Sequence, residues 1–332
     1  MLQKLPPVLY ALYVFTGVSY AQTPNVVTDI APVHSLVATV MQGVGEPSLI
    51  VRQGASPHEY SLTPQEAANL QSADMVVWLG ADLTPWLEAR ISGLAPDALS
   101  IELLENPQTL LLDRRDTVLF ETHDHDGHAD EEEHKNHDDH ADHDDHDDHD
   151  DHDEHDHGHD GQDPHAWLDP QNASIWMAVI AAELSRLDPE NADKYAQNAT
   201  DGIADMTALT ARLQADLAPL HDRPFIVFHD AYQYYETRFG VHAAGALNLS
   251  DASRASASRV AELRAVVTDG GITCAMSEPQ FNDRIIDSVF GDLVTKGVLD
   301  PLGTSHDLGP DLYGQTLQSI ADSFVKCLAP TK

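Results

Sequence analysis

Thirteen of the chain's 20 histidines fall between His123 and His159, interleaved with aspartate in a repeating His-Asp-Asp pattern. They are His123, His125, His128, His134, His137, His140, His143, His146, His149, His152, His155, His157 and His159. Neutral imidazole is a preferred zinc ligand near neutral pH, and the aspartates draw cations in over a Debye length. A solvated acidic linker has no need of histidine, so this composition points to metal binding. The run is almost devoid of apolar side chains and cannot bury enough surface to offset chain entropy, which predicts disorder. Each ion it wraps costs ordering entropy, so the run is expected to bind loosely and at several places.

The seven other histidines can be weighed singly. His34, His221, His242 and His306 sit in contexts that suit ordinary surface or core roles. His58 lies in Gly54-Ala55-Ser56-Pro57-His58-Glu59-Tyr60, just after an apolar run; His165 lies in Asp163-Pro164-His165-Ala166-Trp167-Leu168-Asp169-Pro170; His229 directly follows Pro224-Phe225-Ile226-Val227-Phe228. In open α/β sheets ligands bind in the crevice beyond the carboxyl ends of the strands, and His58 and His229 are placed there.

The elements that must position these side chains read as an α/β protein. Short β-branched runs alternate with amphipathic segments, the pattern of parallel sheets flanked by helices. In the first half strands are expected near 25–30, 47–52, 74–79 and 99–102, with helices at 33–43, 64–72 and 84–92. Thr63 and Thr84 are the expected N-caps of the last two, each followed by a proline suited to a first helical turn. After residue 218 the rhythm resumes, with strands near 224–228, 241–247, 272–276 and 296–300 and helices near 231–239, 256–269, 282–290 and 311–326. Between the halves, 171–187 and 189–217 carry apolar residues at helical spacing, among them Met206, Leu209, Leu213 and Leu217. The second stretch predicts a helix of about 43 Å that joins two lobes as a stiff strut. A chain of 332 residues exceeds what one core usually supports, which agrees with two lobes. The expected division is 22–170 for the first lobe, with the His-rich loop 121–163 inside it, 171–218 for the linking helices, and 219–332 for the second lobe.

The formal net charge is −37, and segment 121–163 accounts for −20 of it, with 21 acidic residues against the single Lys135. The remaining −17 still describes an acidic surface, which repels nucleic acid phosphates and anionic lipid headgroups. Cations are the expected partners. At the N-terminus Lys4, the apolar stretch Val8 to Val18, and Ser19-Tyr20-Ala21 read as a secretory signal cleaved after Ala21. The stretch is too short, and too broken by Thr16 and Gly17, to span about 30 Å of hydrocarbon as an anchor. The mature protein is therefore expected in the periplasm. Its only cysteines, Cys274 and Cys327, are in an oxidising compartment expected to form a disulfide and not a metal site, with two buried thiols as the alternative. Either way they should tie the last helix to a strand.

Four separated motifs, Gly54 to Tyr60, His165 to Pro170, Phe228-His229-Asp230-Ala231-Tyr232 and Ser277-Glu278-Pro279-Gln280-Phe281, occur in order with the His-rich insertion between the first two. Over essentially the whole mature chain this resembles the zinc-specific cluster A-I periplasmic solute-binding proteins of ABC transporters. The resemblance implies two α/β lobes with parallel-type sheets joined by one long rigid helix. It implies a zinc ion held in the cleft by His58 and His165 from the N-terminal side and His229 from the C-terminal lobe, delivery to an inner-membrane ABC permease, and a monomer. Three imidazoles suit a tetrahedral zinc site with one open position, and manganese-binding relatives typically carry a carboxylate where His229 stands. For the fourth ligand, some zinc-specific relatives have a glutamate just before the first histidine, where this chain has Pro57. Asp300, in Leu299-Asp300-Pro301-Leu302-Gly303, resembles the aspartate ligand of manganese-binding relatives and is the candidate for the fourth position, direct, through water, or by orienting a histidine. Glu278 and Glu59 are weaker candidates.

A zinc hydrolase would also use three histidines and a water. The chain has no His-Glu-x-x-His pattern and no nucleophile elbow, and a histidine-rich run serves no enzyme that needs one ion. A periplasmic metal buffer with no transporter is the other rival, since docking surfaces leave no motif. If the loop collects ions and the trio holds one tightly, deletion of 123–159 lowers the zinc stoichiometry in titration calorimetry while leaving one tight site.

Overall fold

The strand runs Val26-Val27-Thr28, Met75-Val76-Val77-Trp78, Phe225-Ile226-Val227-Phe228-His229 and Cys274-Ala275-Met276-Ser277 are buried at every position. That is the burial of parallel strands with helices on both faces. The structure is a computed structural model and describes residues 23–115, 117, 119–120, 161–248, 256–282 and 284–329. The leader expected at 1–21 and the histidine-rich run lie outside the described residues.

In the first lobe β1 (Val26–Thr28), α1 (Ala31–Val40), β2 (Ser48–Leu49), α2 (Pro64–Gln71), β3 (Met75–Trp78), α3 (Pro85–Leu94) and β4 (Leu99–Glu102) alternate along the chain. Their sheet is parallel throughout, in the order β2-β1-β3-β4. The second lobe repeats the plan with β5 (Phe225–His229), α6 (Gln233–Phe239), β6 (Ala243–Asn248), α7 (Ala257–Asp269), β7 (Cys274–Ser277), α8 (Arg284–Phe290) and β8 (Thr295–Val298). Its order, β6-β5-β7-β8, is again all parallel. In each sheet the winding reverses at the founding strand, β1 or β5, which opens a crevice at that strand's carboxyl end.

Between the lobes α4 (Pro170–Leu187) turns back into α5 (Ala192–Leu217). At 1.5 Å per residue α5 spans about 39 Å, and it packs along α4. The single helix expected over 189–217 opens instead with a separate turn, Pro189–Asn191. There Asp188 Oδ2 accepts from Asn191 Nδ2 at 2.7 Å and from the Tyr195 hydroxyl at 2.9 Å, which fixes the corner. Thr63 caps α2 as expected: its hydroxyl accepts from Glu66 N while Glu66 Oε2 accepts from Thr63 N at 2.7 Å. Thr84 does not cap α3, because its hydroxyl donates to Gly80 O at 3.3 Å.

The long helix is not the only join. The C-terminal helix α9 (Leu312–Leu328) packs against α1 and α5 as well as β8, and Ser35 Oγ donates to Pro310 O and accepts from Tyr313 N, each at 3.0 Å. The chain after β4 also crosses over: Leu119 forms an antiparallel bridge with Gly245 on β6, and Phe120 N donates to Ala244 O at 3.0 Å. These two residues, grouped with the first lobe by the sequence pattern, sit on the edge strand of the second sheet. Among the described residues no helix is long and apolar enough to cross a membrane.

Cys274 on β7 and Cys327 on α9 are disulfide-bonded across 53 positions. The bridge fastens the C-terminal helix to the interior of the second sheet. Reduction is expected to lower unfolding stability by about 4 kcal/mol, read as the shift between oxidised and reduced denaturation curves.

Candidate metal centre

His229 is the last residue of β5, placed by an apolar strand that ends at the crevice. His58 lies in the loop beyond β2, where Trp86 Nε1 donates to Pro57 O at 2.8 Å and pins the loop to α3. His165 opens the turn Ala166–Leu168, held between the lobes. The second lobe grips its segment from both ends. The Tyr234 hydroxyl donates to Asp163 O at 2.7 Å, and Arg238 makes two bonds to the Asp169 carboxylate at 2.8 and 2.7 Å. Trp167 Nε1 also donates to Pro301 O at 2.8 Å.

These elements bring the three imidazoles together. One ligand nitrogen from each of His58, His165 and His229 lies within 4.8 Å of the others, and among the described residues no other such group of His, Cys, Asp or Glu forms. Ring centroids are 5.7, 6.0 and 4.9 Å apart. His165 and His229 are buried and His58 half-buried. A tetrahedral zinc with nitrogens at about 2.0–2.1 Å needs neighbouring donors about 3.4 Å apart. The trio thus needs only a small inward closing to seat the ion.

Carboxylates stand beside two of the three imidazoles. Asp163 Oδ1 is 2.6 Å from His165 Nδ1 and also accepts from His165 N at 3.0 Å, so the Nε2 side is left to point at the centre. Burial pushes the Asp163 carboxyl up to about 6, against the pull of the His165 backbone N–H and of Arg115. Glu278, just past β7, places Oε1 3.6 Å from His229 Nδ1, with both side chains buried. That separation is beyond a hydrogen bond but within strong electrostatic reach.

Behind the trio, Arg115 ties the crossing segment to the second lobe. Its guanidinium donates to both oxygens of Asp230, the residue after His229, and to both oxygens of Glu236 on α6 at 3.1 and 2.9 Å. It lies over the Phe120 ring, 3.6 Å from the centroid. Burial works against its charge, but Glu236 and Asp230 outweigh burial and hold the guanidinium above its ordinary value. Burial raises Asp230 to about 6, with Arg115 opposing. Next to Arg115, Asp113 bridges Gln162, Arg114 N donates to Gly161 O at 3.1 Å, and Asp163 N donates to Leu112 O at 2.8 Å. The described residues on either side of the histidine-rich insertion, Phe120 and Gly161, are thus held by the same part of the molecule as Arg115.

The structure does not bring Asp300 into the group. Its Oδ2 accepts from Thr304 Oγ1 at 2.7 Å and its Oδ1 from Leu302 N at 3.3 Å, so the carboxylate is turned into its own loop. Glu59 is exposed. The thirteen loop histidines lie outside the described residues. Asp163 and Arg115 were missed in the sequence. A clue to Arg115 was the Arg114-Arg115 pair at the brink of an acidic run in a chain with only 18 Lys and Arg.

Three imidazoles converging between two parallel sheets that are joined by a long helix define a two-lobed metal-ion-binding protein. The chain belongs to the family described as zinc-uptake complex component A, periplasmic, whose model matches residues 26–327. It is a family of transport components and not of enzymes. Similar curated proteins include the high-affinity zinc uptake system protein ZnuA of Brucella suis biovar 1 (strain 1330), 43% identical over 317 residues that cover 95% of each chain. The protein of the same name from Paracoccus denitrificans (strain Pd 1222) is 44% identical over 310 residues, 93% of each. Among solved structures, a zinc-bound ZnuA deletion mutant matches with a TM-score of 0.71 at 20% identity, covering 94% of this chain and all of that one. FpvC of Pseudomonas aeruginosa, in complex with Mn2+, matches with a TM-score of 0.71 at 18% identity, covering 92% of this chain and 99% of that one. Of these two neighbours of the same fold, one is described with zinc and the other with Mn2+.

Removal of the guanidinium would leave two carboxylates buried side by side. Arg115→Met is expected to cost about 3–5 kcal/mol in urea denaturation, with much of the loss recovered when Asp230→Asn and Glu236→Gln are added.

Proposed function

We propose that this chain captures a zinc ion between its lobes with His58, His165 and His229 and delivers it to an ABC permease for import. The convergence of three ligand nitrogens within 4.8 Å, drawn from elements far apart in sequence, carries this reading. Neutral nitrogen donors favour zinc, whereas manganese favours more carboxylate oxygen. Family membership and the names of the relatives, high-affinity zinc uptake proteins, agree with it.

The chain works as a monomer exported by a leader cleaved after Ala21, and it meets the membrane only by docking on the permease. The run His123 to His159 raises the local zinc concentration beside the cleft, since its flanking residues Phe120 and Gly161 are anchored there. The cleft then takes one ion. Asp163 orients His165, Glu278 offsets charge at His229, and docking loosens the site for release.

Calorimetric titration of His58→Ala, His165→Ala and His229→Ala tests the site. Each substitution is expected to remove the tight component by orders of magnitude while leaving weak, multi-site binding; a variant that kept the tight component would drop that residue from the site. Because a protonated imidazole cannot ligate, affinity is expected to fall as the pH drops from about 7.5 to about 6.

A further inference from the structure

The three imidazoles form one side of a small cavity whose other walls include Glu278, Gln280, Phe281, Pro301 and Leu302. Its volume is about 20 Å³, and a cavity of roughly 10–15 Å³ admits one water molecule. Gln280 stands out on this wall. Both its Oε1 and its Nε2 are shielded from solvent, and neither has a hydrogen-bond partner among the described residues. A buried amide left in this state is costly and rare in native structures, and a bound water or ion is one of the partners that would account for it. Of the carboxylates considered for the fourth position, Asp300 is committed to Leu302 N and Thr304 Oγ1 and Glu59 is exposed, which leaves Glu278, on the same wall with its Oε1 3.6 Å from His229 Nδ1, as the one that shares this space with Gln280.

We propose that Gln280 completes the zinc site by holding, through its carboxamide, the solvent molecule that fills the ion's fourth position. This rests on the trio being the zinc site. A metal-bound water donates to Oε1, and Nε2 is a donor to the same oxygen if it loses a proton. A neutral amide adds no charge to the ion, so the fourth position stays exchangeable and the set of donors stays poor in oxygen anions. That disfavours manganese and leaves an opening through which a permease group can displace solvent during release.

The test uses the full chain with one equivalent of cobalt(II), whose four-coordinate form absorbs strongly in the visible. Subtraction of the His229→Ala spectrum isolates the cleft signal. Added azide is expected to shift the bands of the parent protein, because solvent occupies an exchangeable position. In competition titrations with a chromophoric zinc chelator, Gln280→Ala is expected to weaken tight zinc binding ten- to a hundredfold, roughly the effect of removing a group that supports a metal ligand. Gln280→Glu is expected to retain the affinity and to lose the azide response, as its carboxylate takes the position itself. A parent spectrum unmoved by azide, or a Gln280→Ala protein that matches the parent in affinity, would overturn the role of Gln280 while leaving the trio standing. Tight zinc binding that survives in His229→Ala would instead remove the site on which the proposal rests.

Discussion

One guanidinium among two carboxylates holds the cleft together. Asp230 and Glu236 are both buried in the second lobe, and the segment that brings Arg115 to them has come from the first. Neither carboxylate could be buried so close to the other without that charge between them. The same contact fixes three things at once: the residue after His229, the strand stem that runs back to Asp163 and His165, and the seat of Phe120 on the edge of the second sheet. The ligands from the two sides of the cleft share a frame through Arg115.

Within that frame the charges are arranged in layers. The inner layer is neutral nitrogen. Two carboxylates, Asp163 and Glu278, stand against His165 and His229, where they would offset a divalent charge held by the imidazoles. Further out, Asp230 is neutralised by Arg115. On the proposed reading, a site built this way would attract a divalent cation electrostatically and leave the choice of ion to the nitrogens. The fold itself does not make that choice, since a manganese-bound protein shares it.

Much of this was legible in the sequence because the relevant signals are local. A five-residue apolar strand that ends in histidine, as at Phe225 to His229, announces both the element and the placement of its last side chain. Strand and helix positions followed for the same reason, a short continuous apolar run and the period of 3.6 both being written in neighbouring residues. What failed to show is non-local or depends on a competing bond. Arg115 finds its partners 115 and 121 positions away. Thr84 has the right type for a cap, but a carbonyl four residues back claims its hydroxyl. Asp300 sits at a strand end like a ligand, yet Leu302 N and Thr304 are nearer claimants. Only three-dimensional neighbours decide such contests.

His58, His165 and His229 are spread over 171 positions, so the chain has this donor set only when both lobes are assembled. Occupancy is therefore thermodynamically linked to the folded state: an ion that binds the native cleft stabilises it in proportion to the logarithm of its saturation. The histidine-rich run escapes that linkage, because its donors are neighbours along the chain and remain together after unfolding. Ions held there would bind the native and denatured chains alike, so their contribution cancels from the folding equilibrium. A rise in melting temperature with added zinc would therefore report the cleft and not the run.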